Sequence, residues 1–371
     1  MPRPVPTSTD HVRAAAPAHP PRMAVVRSRT ADPVRARLER LLQHARGHRR
    51  ALVLSHDNPD PDSIAAAAAL GHILEQVAGV PALLAYGGIV GRAENRAMVR
   101  VLKLPLVPIS RVSLDDYDLI AMVDTQPEQG NHSLPARRFP DIVIDHHPER
   151  PETRLAPVAD VGGQMGATST ILAEYFRAGG LRLSPCLATA LYYGIKADTR
   201  DLGRETTPTD VDAYLWLFPA VDKEALAQIE HPRLPLEYFR LYHTAIERAL
   251  LYEHAVVCDL AEVYAPDMVA EVAERFLFLD DVKWSLGFGE YDGQLYFSLR
   301  TSDRRMNAGR LIREVIEERG GTAGGHGSMA GARIPLRGLG PAARSRVKQE
   351  LVQRFLREFG VRARKGRHIV G

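Results

Sequence analysis

Short apolar runs that stop at aspartate or histidine recur through the first 200 residues, and they constrain the fold more than any other feature. Ala51 to Leu54 leads into Ser55-His56-Asp57-Asn58-Pro59-Asp60-Pro61-Asp62. Leu119 to Val123 leads into Asp124-Thr125, and Ile142 to Ile144 into Asp145-His146-His147. An apolar stretch from Cys186 to Ala197 ends at Asp198-Thr199. Runs of a few apolar residues are too short for helices and suit strands buried on both faces. Val80 to Ala85 adds a further strand. Between the strands, Ser63 to Val77, Ala93 to Leu102, Gly166 to Ala178 and Cys186 to Ala197 read as helices. Strands alternating with helices predict an α/β domain on a mostly parallel sheet. In such a sheet, polar residues at the carboxyl ends of strands line the ligand crevice.

At roughly 150 residues per domain, 371 residues predict two domains. The expected fold class is α/β: a Rossmann-like parallel-sheet domain over 33–219, a helical connector over 220–254 and a smaller α/β domain over 255–360. Residues 1–32 read as a disordered leader, rich in Pro, Ala and Arg, without the apolar core of a signal peptide. Residues 361–371 read as a frayed basic tail. Pro33 to Arg50 is expected to be an amphipathic helix. In the second domain, Ala255 to Cys258 suggests a strand and Pro266 to Phe276 a helix. A hairpin of 284–290 with 294–300 is expected around Tyr291-Asp292-Gly293, then a helix from Asn307 to Arg319 and glycine-rich sequence.

Composition removes several function classes. The chain holds 48 Lys+Arg and 45 Asp+Glu, and without the two predicted tails 39 and 43 remain, so it lacks the basic excess of a DNA-coating protein. Cys186 and Cys258 are too few for a disulfide framework or a four-thiolate zinc site. No apolar run approaches the ~20 residues of a membrane span. A cytoplasmic location is the expectation that follows.

The loop after the first strand reads H-x3-D-x-D, with His56, Asp60 and Asp62. Carboxylates this close repel one another unless a cation lies between them. Asp62 or Ser63 could serve simply as a helix cap, but that leaves His56 and Asp60 without a role. Alone, Asp124 is one carboxylate at a strand end and a weak signal, and Asp198 reads as a turn residue at a helix end; Asp145-His146-His147 behind a buried strand is a stronger signal, with a polar surface turn as its plain alternative. Together His56, Asp60, Asp62, Asp124, His146 and Asp198 form a set of imidazoles and carboxylates without thiolate. That set suits two divalent cations such as manganese. A two-metal site of about 3.5–4 Å stabilises in-line attack on phosphorus, so the predicted chemistry is phosphoester hydrolysis.

The order H-x3-D-x-D, V-D-T, D-H-H and D-T resembles the motifs of the DHH phosphoesterase family, over about residues 35–340. The resemblance implies one metal held by His56, Asp60 and Asp124 and a second by Asp62, Asp124, His146 and Asp198, with Asp124 bridging. Mn2+ is the implied ion, and a metal-bound hydroxide the implied attacking group. Two catalytic residues are implied besides: Asp145 to orient a histidine, and His147 at the scissile phosphate or leaving group. Residues 320–331 resemble the glycine-rich stretch of the DHH-associated domain. They imply Gly324, Gly325 and His326 as substrate contacts, since glycines let backbone N–H groups approach phosphate. A mobile loop is the plain alternative. Arg300 is the expected phosphate clamp, whereas Arg304, Arg305, Arg310 and Arg313 read equally well as solvated helix residues. Gly166 to Thr170 opens a helix whose N–H groups suit a ligand or substrate oxygen, or ordinary capping. Thr207 to Asp210 reads as a helix start with no chemistry.

The implied substrates are very short oligoribonucleotides, linear or cyclic dinucleotides, or adenosine 3′,5′-bisphosphate. A 3′-5′ exoribonuclease on very short substrates is one form of this activity. A pyrophosphatase or exopolyphosphatase is the neighbouring alternative, and a nucleotide-binding sensor without catalysis the alternative of another class. A long-strand nuclease is disfavoured, because aromatic content is 6% and no row of stacking residues stands out. No membrane partner is expected, and the resemblance is compatible with a homodimer. Three positions depart from the family pattern: Thr322-Ala323 interrupts the glycine run, Arg200 follows D-T, and Pro61 separates two aspartates.

Overall fold

The computed structural model describes residues 33–162, 164–303, 305–316 and 319–370, apart from the side chain of His326. The leader over 1–32 and Arg304 therefore lie outside the described residues. The N-terminal lobe is built on a six-stranded sheet in the order β3-β2-β1-β4-β5-β6. Its strands are β1 (Ala51–Leu54), β2 (Ala82–Tyr86), β3 (Leu106–Pro108), β4 (Leu119–Val123), β5 (Ile142–Asp145) and β6 (Val158–Val161). Every pairing is parallel. The strand order reverses between β1 and β4. At such a switch point the connections leave in opposite directions and open a crevice at the strands' carboxyl ends.

The lobe's helices are α1 (Pro33–Ala45), α2 (Pro61–Ile73), α3 (Ala93–Val101), α4 (Thr168–Gly179), α5 (Pro185–Asp198), α6 (Pro208–Leu217) and α7 (Lys223–Glu230). Alternate residues of the central strands enter opposite cores, as the short apolar runs require. Ala51, Val53, Leu119, Ala121 and Val123 pack under α1, α2, α4 and α5. Leu52, Leu54, Ile120 and Met122 pack on the other face with Tyr117 and Leu134. Helix α2 starts where Pro61 pre-sets φ at its first position and Asp60 caps the Ser63 N–H at 3.0 Å. Ala65 to Ala69 on this helix are buried. Gly194 of α5 completes the close approach, because a Cβ there would meet Ser169 Oγ at 2.3 Å and Ala65 Cβ at 3.2 Å.

Helix α8 (Leu236–Arg248) leads into the second lobe. Its seven-stranded sheet runs β11-β12-β10-β9-β8-β7-β13. The strands are β7 (Leu250–Tyr252), β8 (Ala255–Glu262), β9 (Trp284–Tyr291), β10 (Gln294–Thr301), β11 (Thr322–His326), β12 (Met329–Pro335) and β13 (Arg367–His368). All pairs are antiparallel except β8 with β9, which α9 (Asp267–Phe276) connects. Helices α8 and α9 cover one face, and α10 (Ala308–Ile316) and α11 (Pro341–Glu358) the other.

Three expectations need correction. Leu250–Tyr252 belongs to the second sheet rather than to the connector, since it pairs with β8. The tail is not frayed: Arg367 and His368 pair with β7, and Glu253 accepts from the Arg362 and Ala363 amides. The glycine-rich segment, for which a mobile loop is the alternative in sequence, is a β-hairpin, and among the described residues β11 is an edge strand with no neighbour on its outer side. β3, β6 and α11 carry no pattern that marks them in the sequence.

Candidate metal centre

The carboxyl ends of β1, β4 and β5 bring the first three motifs together, and the end of α5 brings the fourth. His56 Nε2 lies 3.6 Å from Asp60 Oδ1 and 3.5 Å from Asp124 Oδ2. His146 Nε2 lies 3.6 Å from Asp124 Oδ1 and 3.2 Å from Asp198 Oδ2. Asp124 thus turns one carboxylate oxygen to each imidazole. Two groups of donor atoms, His56-Asp60-Asp124 and Asp62-His146-Asp198, each lie within 4.8 Å of one another, a span one cation can fill. A third group joins Asp124, Asp145, His146 and His147.

Local backbone choices aim these groups. Asp124 adopts φ +56°, the left-handed region that a short polar side chain tolerates better than a branched one, and the chain leaves β4 there. Asp62 is 1% exposed, and its two oxygens accept from the Thr168 and Ser169 amides at 2.7 Å each. The amino end of α4 therefore caps a carboxylate 106 residues away, where the dipole favours negative charge. Thr168 Oγ1 also donates to Asp124 Oδ1 at 2.9 Å. These N–H groups hold a protein carboxylate from another element. The Thr207 start of α6 is a capping box with Asp210.

The electrostatics mark a surplus of negative charge. Burial first, and then neighbouring carboxylates, push Asp62 and Asp124 up to about 6 and Asp198 up to about 9. The imidazoles are oriented to accept a cation. His56 Nδ1 lies 2.9 Å from the Asp57 carbonyl and His146 Nδ1 3.3 Å from the Met165 carbonyl. A carbonyl only accepts, so Nδ1 carries the proton and Nε2 faces the carboxylates. Burial opposes a charge on His56, but Asp124 and Asp60 outweigh it and raise the ring well above its ordinary value. The position that keeps a proton on Nε2 equally suits a divalent ion.

His147 is set apart from these rings. Its Nδ1 donates to Asp145 Oδ1 at 2.8 Å. Burial opposes protonation, yet the Asp145 bond and charge raise His147 to about 10. Asp145 is fully buried and is held in turn by Gln126, whose Nε2 donates to its Oδ2 at 2.8 Å. Gln126 also donates to the Pro148 carbonyl and accepts from the Arg150 amide and Thr153 Oγ1. Gln126 and Arg204, which donates to Asp198 Oδ1 at 2.9 Å, were missed from sequence. Nothing local in the sequence marks Gln126 as the partner of Asp145, because its burial shows only once the chain is folded.

The second lobe places its candidates less tightly. Arg300 is 8% exposed, with one N–H group directed at the Leu299 and Ala330 carbonyls. Burial lowers its guanidinium to about 10. Gly324 and Gly325 stand on β11, and Gly325 takes φ +137°, which favours glycine. His326 is on that strand, with its side chain outside the described atoms. Arg305 pairs with Asp303 and Arg310 with Glu314, on exposed surface. Arg313 reaches the Gly325 carbonyl. Among the described residues, no helix is long and apolar enough to cross a membrane.

Comparison with known proteins agrees with this architecture. Residues 50–195 match the DHH family, N-terminal domain, and residues 253–356 match the DHHA1 domain. An uncharacterized protein of Methanocaldococcus jannaschii is 34% identical over 309 residues, 82% of this chain. The chain spans 62% of that relative's length. A probable manganese-dependent inorganic pyrophosphatase of Staphylococcus aureus is 25% identical over 232 residues, 62% of this chain and 72% of that protein. The crystal structure of an exopolyphosphatase-related protein from Bacteroides fragilis shares the fold at TM-score 0.68 and 16% identity, covering 87% of this chain and 98% of that one.

Proposed function

Because the chain belongs to the DHH family, we propose that it is a two-metal phosphoesterase, working with manganese on short oligonucleotides, dinucleotides or adenosine 3′,5′-bisphosphate. The observation that carries this reading is the Asp124 carboxylate, with one oxygen toward His56 and the other toward His146. His56, Asp60 and Asp124 would hold one ion, and Asp62, Asp124, His146 and Asp198 the other. Divalent ions bound there supply the charge that acidifies water and neutralises phosphoryl oxygens. The protein's own groups do the rest. The α4 amides fix Asp62, and Thr168 fixes Asp124, so that neither carboxylate has to reorganise. His147 is fixed by Asp145 through Nδ1, and the Asp145 charge favours its protonated form, so its Nε2–H would be the proton it gives to the leaving oxygen. Across the cleft, Arg300 and the edge-strand backbone at Gly324, Gly325 and His326 would hold substrate phosphate.

A second reading, phosphoanhydride hydrolysis, draws on the Staphylococcus aureus relative. One panel separates the two: purified chain with Mn2+, assayed on a linear dinucleotide, a cyclic dinucleotide, adenosine 3′,5′-bisphosphate and pyrophosphate. The expected result is mononucleotide release from the dinucleotide with slower cleavage of pyrophosphate. The reverse order favours the second reading. Binding of nucleotide without turnover in excess Mn2+ overturns both.

A further inference from the structure

The proposed chemistry leaves unused the ion pairs that join the two lobes. Glu274, on α9, lies between arginines of the N-terminal lobe. Its Oε2 accepts from Arg92 at 3.2 Å and its Oε1 from Arg200 at 3.0 Å. Burial acts to raise the Glu274 carboxyl, but Arg92, Arg300 and Arg200 outweigh it and hold it below its usual range. One carboxylate therefore answers three guanidiniums, two from the first lobe and one from the second.

The three arginines differ in what else neutralises them. Arg92 also has Glu271 and Asp267 nearby. For Arg200, Glu274 is the paired carboxylate among the described residues. Arg300 has no ion pair among the described residues, and its buried Nε has no hydrogen-bond partner there. A buried donor without a partner is costly. Arg204 bears on Arg300 and binds Asp198, so the cationic cluster continues up to the metal centre. Phosphate is the group whose charge and several oxygens satisfy guanidinium forks from two directions at once.

We propose that Arg200 and Arg300 form an anion subsite beside the metal centre for a second phosphate of the substrate, and that Glu274 fills this subsite until substrate arrives. The inference rests on the phosphoesterase reading and narrows it to substrates that carry a phosphate besides the scissile one. Incoming phosphate displaces Glu274 from Arg200 and gives Arg300 a counter-charge. Arg92 keeps Asp267 and Glu271. The tie between lobes then passes through the substrate: Arg200 from one side, Arg300 from the other.

The test uses two probes, diadenylate with a 5′-phosphate and diadenylate without one. Affinity is measured by calorimetry on the full chain in EDTA, and kcat/KM with Mn2+. The wild-type chain should prefer the phosphorylated probe. Arg200→Gln should cut that preference roughly tenfold, and Glu274→Gln should widen it by about fivefold, since a neutral amide competes less well for the arginines. Arg200→Lys and Glu274→Asp, which keep the charges, should fall between, and circular dichroism confirms folding. If Arg200→Gln leaves the preference at its wild-type value, the subsite is wrong. If Glu274→Gln lowers turnover of both probes alike, Glu274 is only a strut between lobes, and its role as occupant is wrong. If neither probe is cleaved but the affinity ratio responds as expected, the subsite stands and the phosphoesterase reading falls.

Discussion

The two lobes are built from opposite materials. The N-terminal lobe crowds buried carboxylates and imidazoles at the carboxyl ends of parallel strands, and fixes them by backbone amides and by Gln126. The C-terminal lobe offers an edge strand of glycines and a guanidinium directed at two carbonyls. In the first lobe nearly every oxygen has a named partner, so position is dictated by the fold. In the second, among the described residues, Arg300 keeps an unpaired donor and β11 keeps an open edge. On the proposed reading the difference would divide the labour: one lobe would hold reacting groups in place, and the other would take up what is bound.

The largest expected effect tests the rigid lobe. Asp124→Ala should lower Mn2+-dependent turnover by about 10³-fold or more, since one residue serves both ion positions. The metal-free variant should melt no lower than the parent, because removing a crowded buried carboxylate relieves repulsion. Retained activity, or a clear loss of stability, contradicts this account of the site. Gln126→Leu comes next: a residue that only orients Asp145 and through it His147 should cost roughly 10–100-fold in kcat with little change in KM. A change confined to KM would place Gln126 on the binding side instead.

The adjustable lobe is tested by paired glycine substitutions. Gly325→Ala meets both φ +137° and the Ala330 Cα at 2.5 Å, whereas Gly324→Ala meets nothing within 4 Å. The first should destabilise by about 2–4 kcal/mol and the second by less than about 1 kcal/mol, read as a difference in thermal midpoint. Equal midpoints would mean that the hairpin yields more readily than its backbone contacts imply.

The smallest effect is a pH dependence. Asp198 sits at about 9 in the folded chain against an ordinary value of 3.8. Above pH 4 the unfolded chain has released a proton that the folded chain still holds, so stability falls as pH rises toward 9. His147, at about 10 against 6.5, adds the same sign above pH 6.5. Mn2+ competes with these protons, so the rise in thermal midpoint on adding Mn2+ should grow between about pH 6 and pH 8. A rise that does not depend on pH would separate ion binding from these groups.

Much of the rigid lobe was legible in the sequence, because its strands are buried on both faces and end abruptly at charged residues. The motif residues His56, Asp60, Asp62, Asp124, Asp145, His146, His147 and Asp198 converge as their order suggested. The partners that aim them were not legible. Gln126, the Thr168 and Ser169 amides and Arg204 act across long separations or through backbone groups, which carry no local pattern. β3 and β6 are short edge strands whose residues are mostly half-buried. Helix α11 is rich in arginine, and its buried positions Leu351, Phe355 and Leu356 fall in its second half. Strand β13 is two residues of basic sequence made regular only by β7. The glycine hairpin reads as loop because strand propensity is weak there and pairing with β12 supplies the order.

The run of alanines on α2 has a mechanical consequence. Helices α2, α4 and α5 pack closely at Gly194, where a Cβ would meet the side chains of Ser169 on α4 and Ala65 on α2. α2 carries Asp62 in its first turn, α4 holds the amides that bind it, and α5 ends at Asp198. A methyl group added in this seam has no long side chain to swing aside. It becomes a translation of one helix against another, delivered undamped to the spacing between carboxylates. On the proposed two-metal reading this close packing would act as a gauge block for the site, and Ala65→Val should register as lost Mn2+ affinity, read by calorimetry, before it registers as a lower thermal midpoint.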